Sequence, residues 1–204
     1  MNPRDVPSPI NFHDPAEARA WMEQTAKKRP WRPEFFDACV AALNERSARP
    51  LRILELGSGP GQLAAEILKN SCVSHYVALD FSAAMHALAR EHLGPLAVKV
   101  TFVKRDFRNP AWNAPLGKFD AVVTLQAAHE TRHRDRLSKL LRQARDCLKQ
   151  GGILLYCDHY RGRLKNAVLY LEREEQSRVL RAIGFVHVTR ILDKGGMALY
   201  RALA

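Results

Sequence analysis

The stretch Arg52-Ile-Leu-Glu55-Leu-Gly57-Ser58-Gly59-Pro-Gly61-Gln-Leu-Ala-Ala constrains this chain most, because a short apolar run breaks into glycines at alternate positions and then resumes as helix-forming sequence. The pattern predicts a strand, a tight turn and a helix. Glycines at such a turn permit positive φ and let a ligand approach with no Cβ in the way, while the N–H groups that open the helix face that ligand. Two familiar phosphate loops are excluded by spacing. A dinucleotide fingerprint needs its third glycine at position 62, where Gln62 stands, and a P-loop needs Gly-Lys-Ser/Thr, which the chain lacks here.

Periodicity around this turn predicts the rest of the architecture. A proline-rich arm over residues 1–12 precedes Asp14-Pro15, a cap followed by proline at the first helical position, which opens a helix to about Lys28. A second helix is expected from about Pro33 to Leu43. Strands are expected at Leu51 to Leu56, His75 to Leu79, Val98 to Val103, Phe119 to Leu125 and Ile153 to Cys157, with helices after Gly61, after Ser82 and after Asp135. Gly151-Gly152 reads as the end of that last helix. Glu172 to Ile183 reads as a helix closed by Gly184, and Phe185 to Ile191 and Met197 to Leu203 as strands joined by the four-residue turn Asp193-Lys-Gly-Gly196. Alternating strands and helices predict an α/β fold: a doubly wound, mostly parallel seven-stranded sheet, finished by an antiparallel hairpin and preceded by two extra helices.

A chain of 204 residues suits one domain, with 1–50 as arm and helices and 51–204 as the core. No run approaches about 18 uninterrupted apolar residues, and the first residues lack the apolar segment of a signal peptide, so a soluble, cytoplasmic protein with no membrane partner is expected. Cys39, Cys72, Cys147 and Cys157 form no CxxC pair and read as buried, reduced thiols. Of the net charge of +11, nearly all lies after residue 100, where 20 basic residues face 10 acidic ones. Such a balance points to anionic partners.

The run Glu55-x-Gly57-x-Gly59-x-Gly61 after a strand resembles motif I of the class I S-adenosylmethionine-dependent methyltransferases. The resemblance implies a Rossmann-like core with S-adenosylmethionine as cofactor and S-adenosylhomocysteine as product. It also implies that Glu55, Gly57, Ser58, Gly59 and Gly61 surround the cofactor's amino-acid end. Ligands of such sheets bind beyond the carboxyl ends of the strands, where strand order reverses. Asp80, at the end of the second strand, can accept both ribose hydroxyls or serve as a cap before Ser82. Asp106-Phe107, at the end of the third, would meet the adenine edge, unless Asp106 is simply paired with Arg105 or Arg108. Phe81 and Met85 could flank the adenine ring, although Met85 equally suits a packed helix face. Leu125 and Gln126, at the end of the fourth strand, would lie beside the transferable methyl group.

His129 and Glu130 follow directly, and either could take a proton from the acceptor, a histidine base titrating near 6.5 in the absence of perturbation. His129-Glu-Thr-Arg-His133 also matches the zincin string HExxH, but it begins at a strand end without an obvious third ligand, so no metal is expected. The Asn/Asp-Pro-Pro-aromatic run of amino-methylating enzymes and the Pro-Cys pair of cytosine C5 enzymes are missing. The reading is therefore methyl transfer to a small acceptor. The clusters Lys104, Arg105, Arg108; Arg132, Arg134, Arg136; and Arg161, Arg163, Lys165 all follow strand ends, which makes an anionic acceptor the expectation. The alternatives are a methyltransferase for RNA or another macromolecule, favoured by a pI of 9.9 but carrying no added RNA-binding module, and a catalytically silent cofactor-binding protein.

Overall fold

The computed structural model describes residues 5–45, 49–162 and 166–204. Two helices, α1 (Pro15–Lys28) and α2 (Arg32–Asn44), come before the first strand. The core then runs β1 (Leu51–Leu56), α3 (Gln62–Asn70), β2 (Val73–Asp80), α4 (Ala83–Leu93), β3 (Val100–Lys104), β4 (Phe119–Leu125), α5 (Leu137–Asp146), β5 (Leu148–His159), α6 (Arg173–Ala182), β6 (Val186–Lys194) and β7 (Met197–Leu203). Local chemistry sets the helix starts. Asp14 Oδ1 accepts the backbone N–H groups of Ala16 and Glu17 at the head of α1, and Ser82 Oγ accepts that of Met85 at the head of α4.

The strands form one sheet in the order β3-β2-β1-β4-β5-β7-β6. The five strands from β3 to β5 are parallel, and β7 runs antiparallel to both of its neighbours. Strand order therefore reverses between β1 and β4. Residues of β1 alternate between two cores: Leu51 and Ile53 pack with α2 and α3, whereas Leu54 and Leu56 pack with α5 and α6. Burial on both faces explains why a strand of this kind reads as an apolar run instead of an alternation. Truncating fully buried Leu54 to alanine is expected to cost about 2–5 kcal/mol.

Three details depart from the sequence reading. Gly151 and Gly152 lie inside β5, which starts at Leu148 and bulges against β4 between the pairs Phe119↔Leu148 and Ala121↔Ile153. Glycine punctuates a strand as readily as a helix end, so local sequence could not separate the two. A 3₁₀ turn over Gly94–Lys99 postpones β3 to Val100. The last hairpin closes tightly, with Lys194 paired to Met197 and only Gly195 and Gly196 between them, both left-handed at φ of 58° and 75°. Of the cysteines, Cys39, Cys147 and Cys157 are buried but Cys72 is exposed. Among the described residues no helix is long and apolar enough to cross a membrane.

Candidate active site

A cavity of about 420 Å³ opens at the carboxyl ends of β1, β2, β4 and β5, on the reversal of strand order. The glycine turn forms one wall, and each glycine there has its own reason. A Cβ on Gly57 would fall 2.2 Å from the Ala127 Cβ, so this position brings the ends of β1 and β4 together. Gly61, at φ 77°, lets α3 approach α4, since a Cβ there would meet the Ala89 Cβ at 3.1 Å. Around Gly59 nothing lies within 4 Å of the missing Cβ. That open space is cavity, and Gly57 and Gly59 line it whereas Ser58 and Gly61 do not.

Asp80 joins the turn to the next strand. Its Oδ2 accepts the Gly59 N–H at 2.8 Å and its Oδ1 accepts the Ser82 N–H at 2.9 Å, which leaves each oxygen a further lone pair towards the cavity. Burial pushes its carboxyl up to about 6, against the opposing pull of the Ser82 and Gly59 hydrogen bonds. Asp80 thus steadies the entrance to α4 and lines the cavity as well. Phe81, Met85 and Phe107 supply an apolar wall beside it. Asp106 lines an adjoining, smaller cavity of about 280 Å³ that shares Phe81, Phe107 and Glu130 with the first, and its carboxylate is forked to Arg108 at 2.6 Å. Leu125 and Glu55 also stand outside the main cavity. Leu125 belongs to the core under β4, and Glu55, 2% exposed, accepts the Tyr76 hydroxyl at 2.8 Å below β1.

The opposite wall comes from the ends of β4 and β5. Gln126 takes a left-handed backbone at φ 57°, donates its N–H to the Cys157 carbonyl, and places its side-chain nitrogen 3.0 Å from His159 Nε2. Its Oε1 is buried and without a hydrogen bond, an acceptor aimed at nothing the protein provides. His129 Nδ1 lies 2.7 Å from Asp158 Oδ1, and its Nε2 faces Glu130 Oε1 at 3.4 Å. Glu130 in turn meets Arg132 at 3.0 Å. Burial works against a charged His129, but the charge and hydrogen bond of Asp158, followed by those of Glu130, outweigh it and lift the imidazole to about 10. The same contacts hold the Glu130 and Asp158 carboxyls below their ordinary range despite burial. His129 is accordingly an imidazolium at neutral pH, which moves the expected titration near 6.5 upward.

The zincin geometry does not form. Residues Ala128–Thr131 make a 3₁₀ turn and His133 is extended at φ −159°, so the two imidazoles do not share a helical face. His133 Nδ1 accepts the Asp135 N–H instead, and no group of metal-ligating residues is found among the described residues.

Most of the basic clusters serve the fold. Arg105 donates to the carbonyls of Trp112 and Ala114, Arg108 holds Asp106, Arg134 pairs with Glu175, Arg136 with Asp5 and Arg161 with Glu172. Arg132 donates to the carbonyls of Val6 and Pro7 at 2.7 and 2.6 Å, fastening the N-terminal arm in the cavity wall. Arg163 and Lys165 lie outside the described residues. The sequence reading missed the residues that this arrangement recruits. The arm residues Val6 to Ile10 and Phe12, with Arg29, His159 and Tyr170, line the cavity, and Asp158 sits behind His129. No motif announces them; the one available signal was that Asp158-His159 continues β5 past its apolar run towards the same sheet edge.

Comparison with known proteins agrees with this geometry. The family described as "Methyltransferase domain" matches residues 53–152. The C-methyltransferase UbiE of ubiquinone/menaquinone biosynthesis from Methylobacterium nodulans is 31% identical over 129 residues, which is 62% of this chain and 48% of that protein. The chain thus spans about half the length of the curated relatives of this type that it matches. Among solved structures, DhpI in complex with SAH superposes at a TM-score of 0.69 over 93% of this chain and 94% of its own, at 23% identity. An O-methyltransferase family protein from Burkholderia thailandensis superposes at 0.75 over 94% of this chain and 61% of its own, at 19% identity. The last two likenesses concern the fold. The glycine turn after β1, the sheet order and the matched residues thus agree: residues 53–152 are similar to the methyltransferase-domain family, and the sheet has the fold of the S-adenosylmethionine-dependent methyltransferases it superposes on.

Proposed function

We propose that this chain, folded as one domain, transfers the methyl group of S-adenosylmethionine to a small anionic molecule. One observation carries the reading: a single cavity brings Gly59 and Asp80, which suit the cofactor, together with Gln126, His129 and Glu130, which suit chemistry on an acceptor. The residues fit the cofactor. Gly59 leaves open space where a Cβ would stand, Asp80 keeps lone pairs for the ribose hydroxyls, and the unpartnered Gln126 Oε1 can accept an N–H. DhpI has also been solved with SAM and HEP, and human N-acetylserotonin methyltransferase with SAM, which supports the same cofactor here.

The sulfonium of the cofactor supplies an already activated methyl group. The chain must then hold the acceptor atom in line, keep water out and, where the acceptor is a hydroxyl or acidic carbon, take up a proton. The arm serves the exclusion of water, since Val6, Pro7 and Ile10 form part of the cavity wall. For the proton, Glu130 is the ionised group at neutral pH. His129 Nε2 becomes available as the imidazolium loses its proton towards pH 10, with Nδ1–H fixed on Asp158. The arginine clusters that led to the expectation of an anionic acceptor are mostly paired internally, and the same pairing reduces the basic surface, read from a pI of 9.9, that favours the RNA alternative.

Calorimetry with S-adenosylmethionine, followed by a metabolite screen that reads S-adenosylhomocysteine, tests the proposal. Binding and turnover with a small acceptor are expected. A folded protein that fails to bind the cofactor would overturn it, and turnover confined to RNA would favour the macromolecular alternative.

A further inference from the structure

Two arginines line the cavity, and they differ in what they touch. Arg132 is 5% exposed and committed on every side, with Nε and Nη2 on the carbonyls of Val6 and Pro7 and Nη1 on Glu130. Arg29, just past the end of α1, is half-buried, and its described side-chain hydrogen bond runs from Nη1 to Thr25 Oγ1 at 3.5 Å, the outer limit of such a contact. Among the described residues no carboxylate pairs with it. Arg108, Arg136 and Arg161, on the same edge of the sheet, each find a carboxylate within 3.1 Å. Loss of water without a matching anion depresses the Arg29 guanidinium, whereas the Tyr170 phenol works in the other direction.

A guanidinium offers five N–H donors in a planar fork, and most of those of Arg29 have no described protein acceptor, so they are open to water or to a ligand in the cavity that Arg29 lines. The fork matches a carboxylate or phosphate through two parallel hydrogen bonds. At the His129 end the two cations are already taken, His129 by Asp158 and Glu130, and Arg132 by Glu130, which leaves the Arg29 end to receive such an anion.

We infer that Arg29 is the receptor for an oxyanion of the acceptor, a carboxylate or phosphate group, with the nucleophilic atom of the same molecule turned towards His129 and Glu130. The inference rests on the proposed methyl-transfer role of this cavity, and it moves the anion site from the basic clusters after the strands to one residue supplied by the N-terminal helices. It makes the acceptor bifunctional, charged at one end and reactive at the other.

The test uses the full chain loaded with S-adenosylhomocysteine and follows benzoate and, separately, inorganic phosphate by calorimetry at fixed ionic strength. Benzamide is the uncharged counterpart. The parent is expected to bind at least one anion and to prefer benzoate over benzamide if the group is a carboxylate, or phosphate if it is a phosphate. Arg29→Gln should weaken that binding about tenfold or more and leave S-adenosylhomocysteine affinity within about twofold, with Arg29→Lys recovering part of the loss. Equal anion binding by the parent and Arg29→Gln would overturn the inference. So would absence of anion binding by the parent at tens of millimolar, or a loss of S-adenosylhomocysteine affinity in both variants that parallels the anion loss. Should the parent bind no S-adenosylhomocysteine, the methyl-transfer proposal fails, and the same titrations on the unloaded protein still decide whether Arg29 holds an anion.

Discussion

The two walls of the cavity are built in opposite ways. On one side, Gly57, Gly59 and Asp80 come from two adjacent strand ends within a short span of sequence, and the wall is mostly backbone, fixed by Gly57 and Ser58 N–H groups on the Leu79 carbonyl. On the other side, the arm, Arg29, His129, Glu130, His159 and Tyr170 come from five separate segments and meet through side chains and ion pairs. A backbone wall at a strand reversal is rigid and suits a ligand that does not change. A wall of side chains on loops can be altered residue by residue without disturbing the sheet, which is where specificity is expected to reside.

The sharpest test of the side-chain wall is chemical. If His129 is the base, His129→Ala should keep cofactor affinity while the methyl-transfer rate, measured with an acceptor from the screen at a pH towards 10, falls by roughly 10² to 10⁴, the usual range for general acid–base catalysis. If neutral His129 is the base, the parent's rate should climb with pH towards about 10 and the variant should lose that climb. Rates within threefold of the parent for both His129→Ala and Glu130→Ala would leave catalysis to positioning alone.

The backbone wall should break in the opposite sense, through binding. Gly59→Val places a branched side chain in the open space at φ 52° and is expected to lower S-adenosylmethionine affinity about 100-fold, because the ligand's approach is filled. Asp80→Ala should cost at least about tenfold, from the loss of charge-assisted hydrogen bonds. Affinity in the parent should also fall as pH drops below about 6, where the buried carboxyl takes up a proton and can no longer accept both hydroxyls. Unchanged calorimetric affinity in a folded Asp80→Ala protein would remove the ribose assignment.

A smaller effect is expected where the arm is fastened. Arg136→Ala frees Asp5, whose side chain is 7% exposed, and loosens the arm while Arg132 still holds Val6 and Pro7. The KM of the acceptor should rise about three- to tenfold, consistent with about 1 kcal/mol for a partly buried ion pair, and cofactor affinity should change less. A larger effect on cofactor than on acceptor would assign the arm to the backbone wall instead.

The same contrast explains what could be read in the sequence. The sheet, its helices, the glycine turn and Asp80 were legible because each depends on residues close in sequence: apolar period, caps, and positive-φ glycines. Gly151-Gly152 misled because the bulge in β5 is fixed by its pairing to β4, a long-range fact. Arg29 and Tyr170 carried no local signature, since an arginine near a helix end and a tyrosine in a loop are ordinary until the fold brings them to one cavity. The arginine clusters were visible, but not their carboxylate and carbonyl partners from elsewhere in the chain. For His129, position at a strand end pointed to the site, whereas its protonation depends on Asp158 from the neighbouring strand.

Glu55 provides the finest division between the two kinds of evidence, because the family resemblance puts it with the cofactor and the structure puts it under β1, bonded to Tyr76. Burial, aided by the charge of Asp80 and opposed by the Tyr76 hydrogen bond, raises its carboxyl from 4.5 to about 8. A raised folded-state value means that between about 4.5 and 8 the native protein keeps a proton the unfolded chain has released. Stability from this group is therefore full below 4.5 and declines as pH rises through about 8. Glu55→Gln removes the charge but keeps an acceptor for Tyr76. Its denaturation midpoint should match the parent's at low pH and exceed it increasingly towards pH 8, by an amount on the order of a few kcal/mol at most. If Glu55 belongs to the fold, S-adenosylmethionine affinity in Glu55→Gln should stay within about threefold of the parent. A loss as large as that of Asp80→Ala would return Glu55 to the cofactor and show that the backbone wall extends one strand residue deeper than the cavity lining.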